Sequence, residues 1–342
     1  MITIYSEDHR KREAKTELYG GELVEPFERP SRMDYILHRL DEVKLGEIIA
    51  PREFGMDPIL GIHDADYVSF LENCWDDWRT EYETGEAIPS VWPARRMQQR
   101  RPNHIDGKLG YYALAGETAI CSGTWEAARA SVNVALEGAA RLNEERAAFS
   151  LCRPPGHHAT IDMYGGYCFL NNAALAAQHL LDNGAERIAI LDVDFHHGNG
   201  TQDIYYHRDD VLFISLHGAP EDAFPHFLGY ADEIGEGVGE GFNINLPMPP
   251  GTQFGPWREA LKQALDRITI HSPDALIVSL GTDTFEKDPI SFFKLKSDDF
   301  LVMGSDLATL NLPTLFVMEG GYAIEEIGTN AVNVLQGFEE AT

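Results

Sequence analysis

Asp192, Asp194 and His196 stand at a spacing of two directly behind a continuous apolar run, Ile188 to Leu191. If the chain stays extended, side chains alternate, so all three point to one side of a strand's carboxyl end. Two carboxylates and an imidazole converging inside a sheet are costly unless a cation lies between them. Asp194, His196 and Asp283 can ligate a divalent ion through two oxygens and one nitrogen, leaving a position open as catalytic zinc sites do. The oxygen-rich set also suits Fe(II), Co(II) or Mn(II). Asp192 reads instead as an acceptor for a neighbouring histidine or as part of a second, structural cation site. His157 and His158 are adjacent on a Pro-Pro-Gly turn, the arrangement of a general base and a general acid. Asp192 and Asn199 are candidates to orient them. An aspartate raises a histidine's pKa and an asparagine does not, so His157 should keep its proton and His158 should act as base. Tyr322 follows Gly320-Gly321, which suits a phenol donating to a developing oxyanion.

These residues need a frame that brings them together. Short apolar runs at 2–5, 147–152, 188–193, 211–216, 275–280 and 314–318 read as strands. Stretches 107–143, 171–183 and 256–270 have helical character. Alternating strands and helices predict an α/β fold, with a mainly parallel multi-stranded sheet and helices on both faces. Such sheets build their sites at the carboxyl ends of strands. Five of the runs lead into reactive residues: Arg153 to His158, the Asp192–Asn199 cluster, His217-Gly218, Thr282-Asp283 and Glu319 to Tyr322. One composite site is the economical explanation. Residues 1–342 read as a single domain. The exception to the rhythm is 73–108, acidic and aromatic at first (Trp75, Asp76, Trp78, Glu81) and then basic (Arg95, Arg96, Arg100, Arg101). It reads as an inserted segment that forms an oligomer contact or an active-site wall, with a plain surface loop as the alternative.

Composition fits a soluble enzyme. The chain has 342 residues, is 44% hydrophobic and holds 27 basic against 55 acidic residues, a net charge of −28. That balance argues against nucleic acid and favours a small cationic substrate. No apolar stretch approaches the ~20 residues that span a bilayer. The N-terminus reads as a strand rather than a leader. Cys74, Cys121, Cys152 and Cys168 form no CxxC pair, which fits a reducing cytoplasm.

Five motifs resemble the arginase/deacetylase superfamily, and within it the histone deacetylase-like amidohydrolases: RPPGHHA (153–159), GYCFLNN (166–172), DVDFHHGNGT (192–201), SLGTD (279–283) and EGGY (319–322). KTELYGGELVEPFE (15–28), IDGKLGYY (105–112) and GETAI (116–120) are similar to the bacterial acetylpolyamine amidohydrolases. The resemblance implies that Asp194, His196 and Asp283 bind zinc, with Fe2+ or Co2+ as substitutes. It makes His157 and His158, backed by Asp192 and Asn199, the catalytic histidines and Tyr322 the residue that polarises the substrate carbonyl. Gly166 would receive the substrate amide, and Tyr167 and Phe224 would form aromatic tunnel walls. Structural potassium is implied at Asp192, Asp194, His196, Ser215 and Leu216, and at a second site on backbone oxygens around Tyr205, Arg208, Val211 and Asn243. Glu117 and Asp106 match acidic positions facing the distal ammonium of a polyamine, and the N-terminal segment matches one that builds a homodimer.

The implied reaction is hydrolysis of acetylated polyamines to acetate and free amine. A protein acetyl-lysine deacetylase is the alternative within that chemistry. A binuclear manganese ureohydrolase would carry an aspartate two residues before the last ligand, where this chain has Gly281. A non-catalytic sensor would be expected to have lost a ligand, a histidine or the tyrosine, and all are present.

Overall fold

The computed structural model describes residues 1–341. An eight-stranded, wholly parallel sheet forms its centre. In chain order the strands are β1 (Ile2–Ile4), then β2 (Glu17–Tyr19) and β3 (Glu22–Val24) as a separate antiparallel hairpin, β4 (Ile48–Ile49), β5 (Ala147–Ser150), β6 (Ile188–Asp192), β7 (Val211–Gly218), β8 (Asn243–Met248), β9 (Ala275–Leu280) and β10 (Thr314–Met318). The sheet order is β4-β1-β5-β10-β9-β6-β7-β8. The five strands whose ends lead into reactive residues are therefore contiguous, β5-β10-β9-β6-β7, although nearly 170 residues of sequence separate their ends.

The continuous apolar runs follow from burial on both faces. Ile188 and Ile190 join one hydrophobic layer with Ile277, Leu315 and Val317, while Ala189 and Leu191 join the other with Val278, Phe316 and Met318. The helices are α1 (Ser31–Val43), α2 (Asp57–Leu60), α3 (Ala65–Glu81), α4 (Ile105–Tyr112), α5 (Thr124–Arg141), α6 (Asn172–Asp182), α7 (Asn199–Tyr205), α8 (Phe254–His271), α9 (Ser297–Ala308) and α10 (Ile327–Glu340). The layer containing Ile190 holds residues of α3, α5 and α6, and the opposite layer those of α1, α8, α9 and α10. Among the described residues, no helix is long and apolar enough to cross a membrane.

The structure corrects the sequence reading in four places. Residues 107–143 are two helices, because Gly116 and Gly123 interrupt the pattern and Gly123 takes a left-handed φ of 76° before α5. Residues 73–81 are not loop but the last turns of α3, which buries Cys74, so the irregular stretch is 82–104. β8 went unread because its half-buried edge residues, Asn243 to Met248, lack a continuous apolar signal. The chain also does not stay extended past Asp192. The Asp192 and Asp194 carboxylates accept from the Asp194 and His196 amides at 3.1 and 2.9 Å, so side-chain turns rather than strand alternation gather the cluster.

Candidate active site

The loops at the ends of the five central strands meet around a cavity of about 260 Å³, lined by His158, Gly166, Tyr167, His196, Phe224 and Tyr322, together with Glu17, Tyr19, Glu117, Phe195, Asp222, Ala223, Ile290 and Phe292. At its floor, one ligating atom each from Asp194, His196 and Asp283 lies within 4.8 Å of the others, all three residues buried. His196 Nδ1 is 3.3 Å from Asp194 Oδ1 and 3.0 Å from Asp283 Oδ2. The remaining carboxylate oxygens are fixed by backbone donors, Gly320 N–H to Asp194 Oδ2 at 2.8 Å and Phe195 N–H to Asp283 Oδ1 at 2.7 Å. Burial, and then the charge of Asp194, push Asp283 up to about 6. Two such carboxylates around one ring nitrogen complement a cation. The surrounding backbone leaves no room for a side chain at two glycines: a Cβ at Gly281 would stand 2.0 Å from Asp194 Oδ2, and one at Gly320 would stand 2.5 Å from both Asp194 Oδ2 and Asp283 Oδ2. The donor set therefore fits a divalent metal, and Gly281 has no space for a further acidic ligand.

The tandem histidines lie beside this group. His157 Nδ1 meets Asp192 Oδ2 at 2.9 Å and His158 Nδ1 meets Asn199 Oδ1 at 2.6 Å, the pairing expected from the sequence. An amide oxygen only accepts, so His158 carries its proton on Nδ1 and its free lone pair is on Nε2. Burial pulls both rings down. At His157 the charges of Asp194 and Asp192 outweigh it and hold the pKa well above the ordinary 6.5. At His158 the neighbouring His157 and His196 reinforce it, and the pKa falls well below. The histidine turn hangs from Glu319, whose Oε2 accepts from the Gly156 and His157 amides at 2.7 and 3.2 Å.

Tyr322 is held from behind. Its amide donates to Asp288 Oδ2 at 2.7 Å, and the Arg32 guanidinium lies over its ring, 5.0 Å from the centroid. Burial raises its pKa well above 10, with Arg32 partly opposing, so the phenol stays protonated. Tyr167 stands 5.5 Å from it, and Phe224 meets His158 edge-on at 5.1 Å. Gly166 takes a φ of 55°, and its backbone runs so close to His158 that a Cβ would come within 2.1 Å of the ring.

The Ser215 residue expected at the first potassium site pairs in register with Asp192, with Leu216 next along β7. Of the second set, Tyr205, Arg208 and Val211 follow one another from the end of α7 into β7, while Asn243 pairs across to Phe213. Asp106 is not among the cavity's lining residues. It sits on α4, where its carboxylate accepts from Tyr82 at 2.7 Å. Glu117 does line the cavity.

Several residues at the site were given no role by the sequence. Glu17 accepts from the Tyr167 phenol at 2.6 Å. Glu28 is buried among Arg12, Arg32 and Arg153, the last pairing with it at 2.7 Å. Arg32 reaches the carbonyls of Glu319 and Gly321, and Arg153 those of His9 and Arg12. Segment 82–104 supports the cavity from outside. Glu86 accepts from the Lys15 and Thr16 amides ahead of hairpin β2–β3, and Trp92 donates to Ala113 O at 2.9 Å close to Gly116 and Leu18.

Comparison with known proteins places this geometry in context. A model of the histone deacetylase domain matches residues 26–338. Acetylpolyamine amidohydrolase 2 of Pseudomonas aeruginosa is 56% identical over 340 residues, 99% of each chain. The acetylpolyamine amidohydrolase of Mycoplana ramosa is 57% identical over 338 residues, 98% of this chain and 99% of that one. A crystal structure of acetylpolyamine aminohydrolase from Burkholderia pseudomallei superposes with a TM-score of 0.95 at 37% identity, covering 100% of this chain and 99% of that one.

Proposed function

Because this chain belongs to the histone deacetylase family, we propose that it hydrolyses the acetamide bond of acetylated polyamines, releasing acetate and the free amine. The observation that carries the reading is the joining of a tandem histidine pair, a carboxylate–imidazole cluster and a protonated phenol around one narrow cavity lined by acidic residues. Asp194, His196 and Asp283 would hold zinc, which when bound acts as a Lewis acid on the acetyl carbonyl and makes water a stronger nucleophile.

The chain's own groups account for the rest. Gly166 O and the walls Tyr167 and Phe224 hold the acetamide and its methylene chain. His158 Nε2, kept unprotonated by burial and the neighbouring His157, takes a proton from the attacking water. His157, kept cationic by its pairing with Asp192, balances the charge that develops as the tetrahedral oxyanion forms. Tyr322 donates its phenolic proton as a hydrogen bond to that oxyanion. The protonated histidine pair then delivers a proton to the leaving nitrogen, and the carbon–nitrogen bond breaks.

Glu117 gives the cavity wall negative charge, which attracts a slim cation and offers nothing to a polypeptide backbone. We assign structural potassium to the two sites named above, and a homodimer to the surface of segment 82–104, where Val91 and Met97 are 50% and 58% exposed. Four free, buried cysteines fit a cytoplasmic enzyme. The test is a purified-protein panel of acetylputrescine, acetylcadaverine and an acetyl-lysine peptide, scored by acetate release alongside metal analysis. Faster turnover of the peptide would transfer the reading to a protein deacetylase. Two transition metals per chain would favour a ureohydrolase. Light scattering that gives a monomer would remove the dimer.

A further inference from the structure

Three carboxylates line the cavity, Glu17, Glu117 and Asp222, and they are not equivalent. Glu17 accepts from the Tyr167 phenol at 2.6 Å and from the Phe27 amide at 3.0 Å. It is buried, and burial raises its pKa, which weakens it as a partner for a cation. Glu117 accepts from the Gly166 amide at 2.7 Å and from the Thr118 hydroxyl at 2.8 Å, so it fixes the loop against which the acetamide must lie. Neither can turn toward a ligand without releasing a donor that shapes the site.

Asp222 differs. It stands on a turn just after β7, anchored through its backbone: its own amide and that of Ala223 both donate to Ala219 O at 2.9 Å. Among the described residues its carboxylate has no hydrogen-bond donor and no ion-pair partner, and it is exposed where it lines the cavity. Two residues on, Phe224 packs edge-on against His158, so the same turn supplies both an apolar wall beside the reacting end and a free carboxylate. An ammonium group is strongly hydrated, and it gives up water only to an acceptor with vacant lone pairs and freedom to adapt.

We propose that Asp222 receives the distal ammonium of the substrate and is the residue that makes this site prefer cationic acetylated amines over neutral acetamides of the same length. The inference rests on the hydrolase reading above and names where its substrate's charge is bound. Glu117, in this account, acts on catalysis through the Gly166 loop and contributes charge only diffusely.

The experiment compares acetylcadaverine with N-hexylacetamide, in which a methyl replaces the ammonium, using the metal-loaded full chain. In Asp222→Asn the ratio of kcat/KM for the cation to that for the neutral amide should fall about fivefold, through KM, the size of one partly screened ion pair. Asp222→Glu should restore it, and the salt sensitivity of kcat/KM for acetylcadaverine should shrink in the asparagine variant only. An unaltered ratio in Asp222→Asn overturns the inference, as does a collapse of that ratio in Glu117→Gln with KM alone affected. Wild-type protein that hydrolyses neither compound overturns the hydrolase reading and this inference with it, a result separable from the previous two.

Discussion

Replacing Gly166 by alanine puts the closeness of the active-site loop to the catalytic base to a quantitative test. The added Cβ would stand 2.1 Å from Cδ2 and 2.6 Å from Cγ of His158, where ordinary contact begins near 3.4 Å. One side has to open by about 1.3 Å. The His158 ring cannot yield freely, since it is bonded to Asn199 at 2.6 Å and packed against Phe224 and His157. The loop cannot yield freely either, since Glu117 holds the Gly166 amide and Thr118 the Tyr167 amide. A displacement of this size costs about 100-fold in rate when it misaligns a proton acceptor. The left-handed φ of 55° adds about 1 kcal/mol of backbone penalty for alanine. Gly166→Ala should therefore lose about 100-fold in kcat on acetylputrescine, melt only a few degrees lower, and keep its metal, because the atoms nearest its Cβ all belong to His158 and none to Asp194, His196 or Asp283. Steady-state kinetics, thermal unfolding and metal analysis on one preparation decide it. Turnover within threefold of wild type at an equal melting temperature would refute the reasoning.

Gly320→Ala should behave in the opposite way, since its Cβ would meet the oxygens of two ligands, and metal content measured after gel filtration should fall before stability does. Tyr322→Phe should retain metal and fold but lose about 100- to 1,000-fold in kcat, the typical value of one oxyanion donor; near-normal turnover would show that its hydroxyl is not needed. Asn199→Asp replaces a neutral partner of His158 with a charge, so the acid limb of the kcat/KM profile should move to higher pH. Wild type should hold its activity further into acid, because the lowered pKa of His158 keeps it unprotonated there. Glu28→Ala leaves three buried guanidinium groups without their carboxylate and should cost about 3 to 5 kcal/mol in denaturant unfolding. Burial opposes the charged form of Glu28, but Arg153, Arg32 and Arg12 prevail and hold it down to about 2 from 4.5, so its stabilising contribution is present above about pH 4.5 and is lost as pH falls toward 2. Acid unfolding of the alanine variant should lack that component.

What the sequence disclosed and what it concealed divide along a physical line. Strands buried on both faces are continuous apolar runs, so six of the eight sheet members could be read directly, whereas the two-residue edge strand β4 and the half-buried β8 could not. The grouping of Asp194, His196 and Asp283 with the histidine pair and Tyr322 was legible because each follows such a run, and the site is built where strands end. Asn199 and Asp192 were legible as partners because their residue types impose opposite proton affinities on two equal histidines. Long-range supports had no such signature. Asp288 holds the Tyr322 amide across 34 residues, and Arg32 holds Gly321 O across 289. Asp222 looked like one more surface acid in a chain with 55 of them, and only its position on the cavity wall distinguishes it. For Asp106 the motif match conveyed residue type but not that its carboxylate accepts from Tyr82 on a neighbouring segment.

The buried arginine network has a consequence for how the molecule comes into being. It joins residues 9 to 32, the start of the histidine turn at Arg153, and the carbonyls at 319 and 321. Its parts leave the ribosome at the beginning, middle and end of synthesis. The early segment has to wait, with the network arginines Arg12 and Arg32 solvated, until the final central strand has joined the sheet. Closure over so great a sequence separation is slow relative to local structure. Hydrolytic competence should therefore be the last property a nascent chain acquires, appearing after most secondary structure is in place. Activity recovered on refolding then reports completion of the whole chain rather than formation of its core.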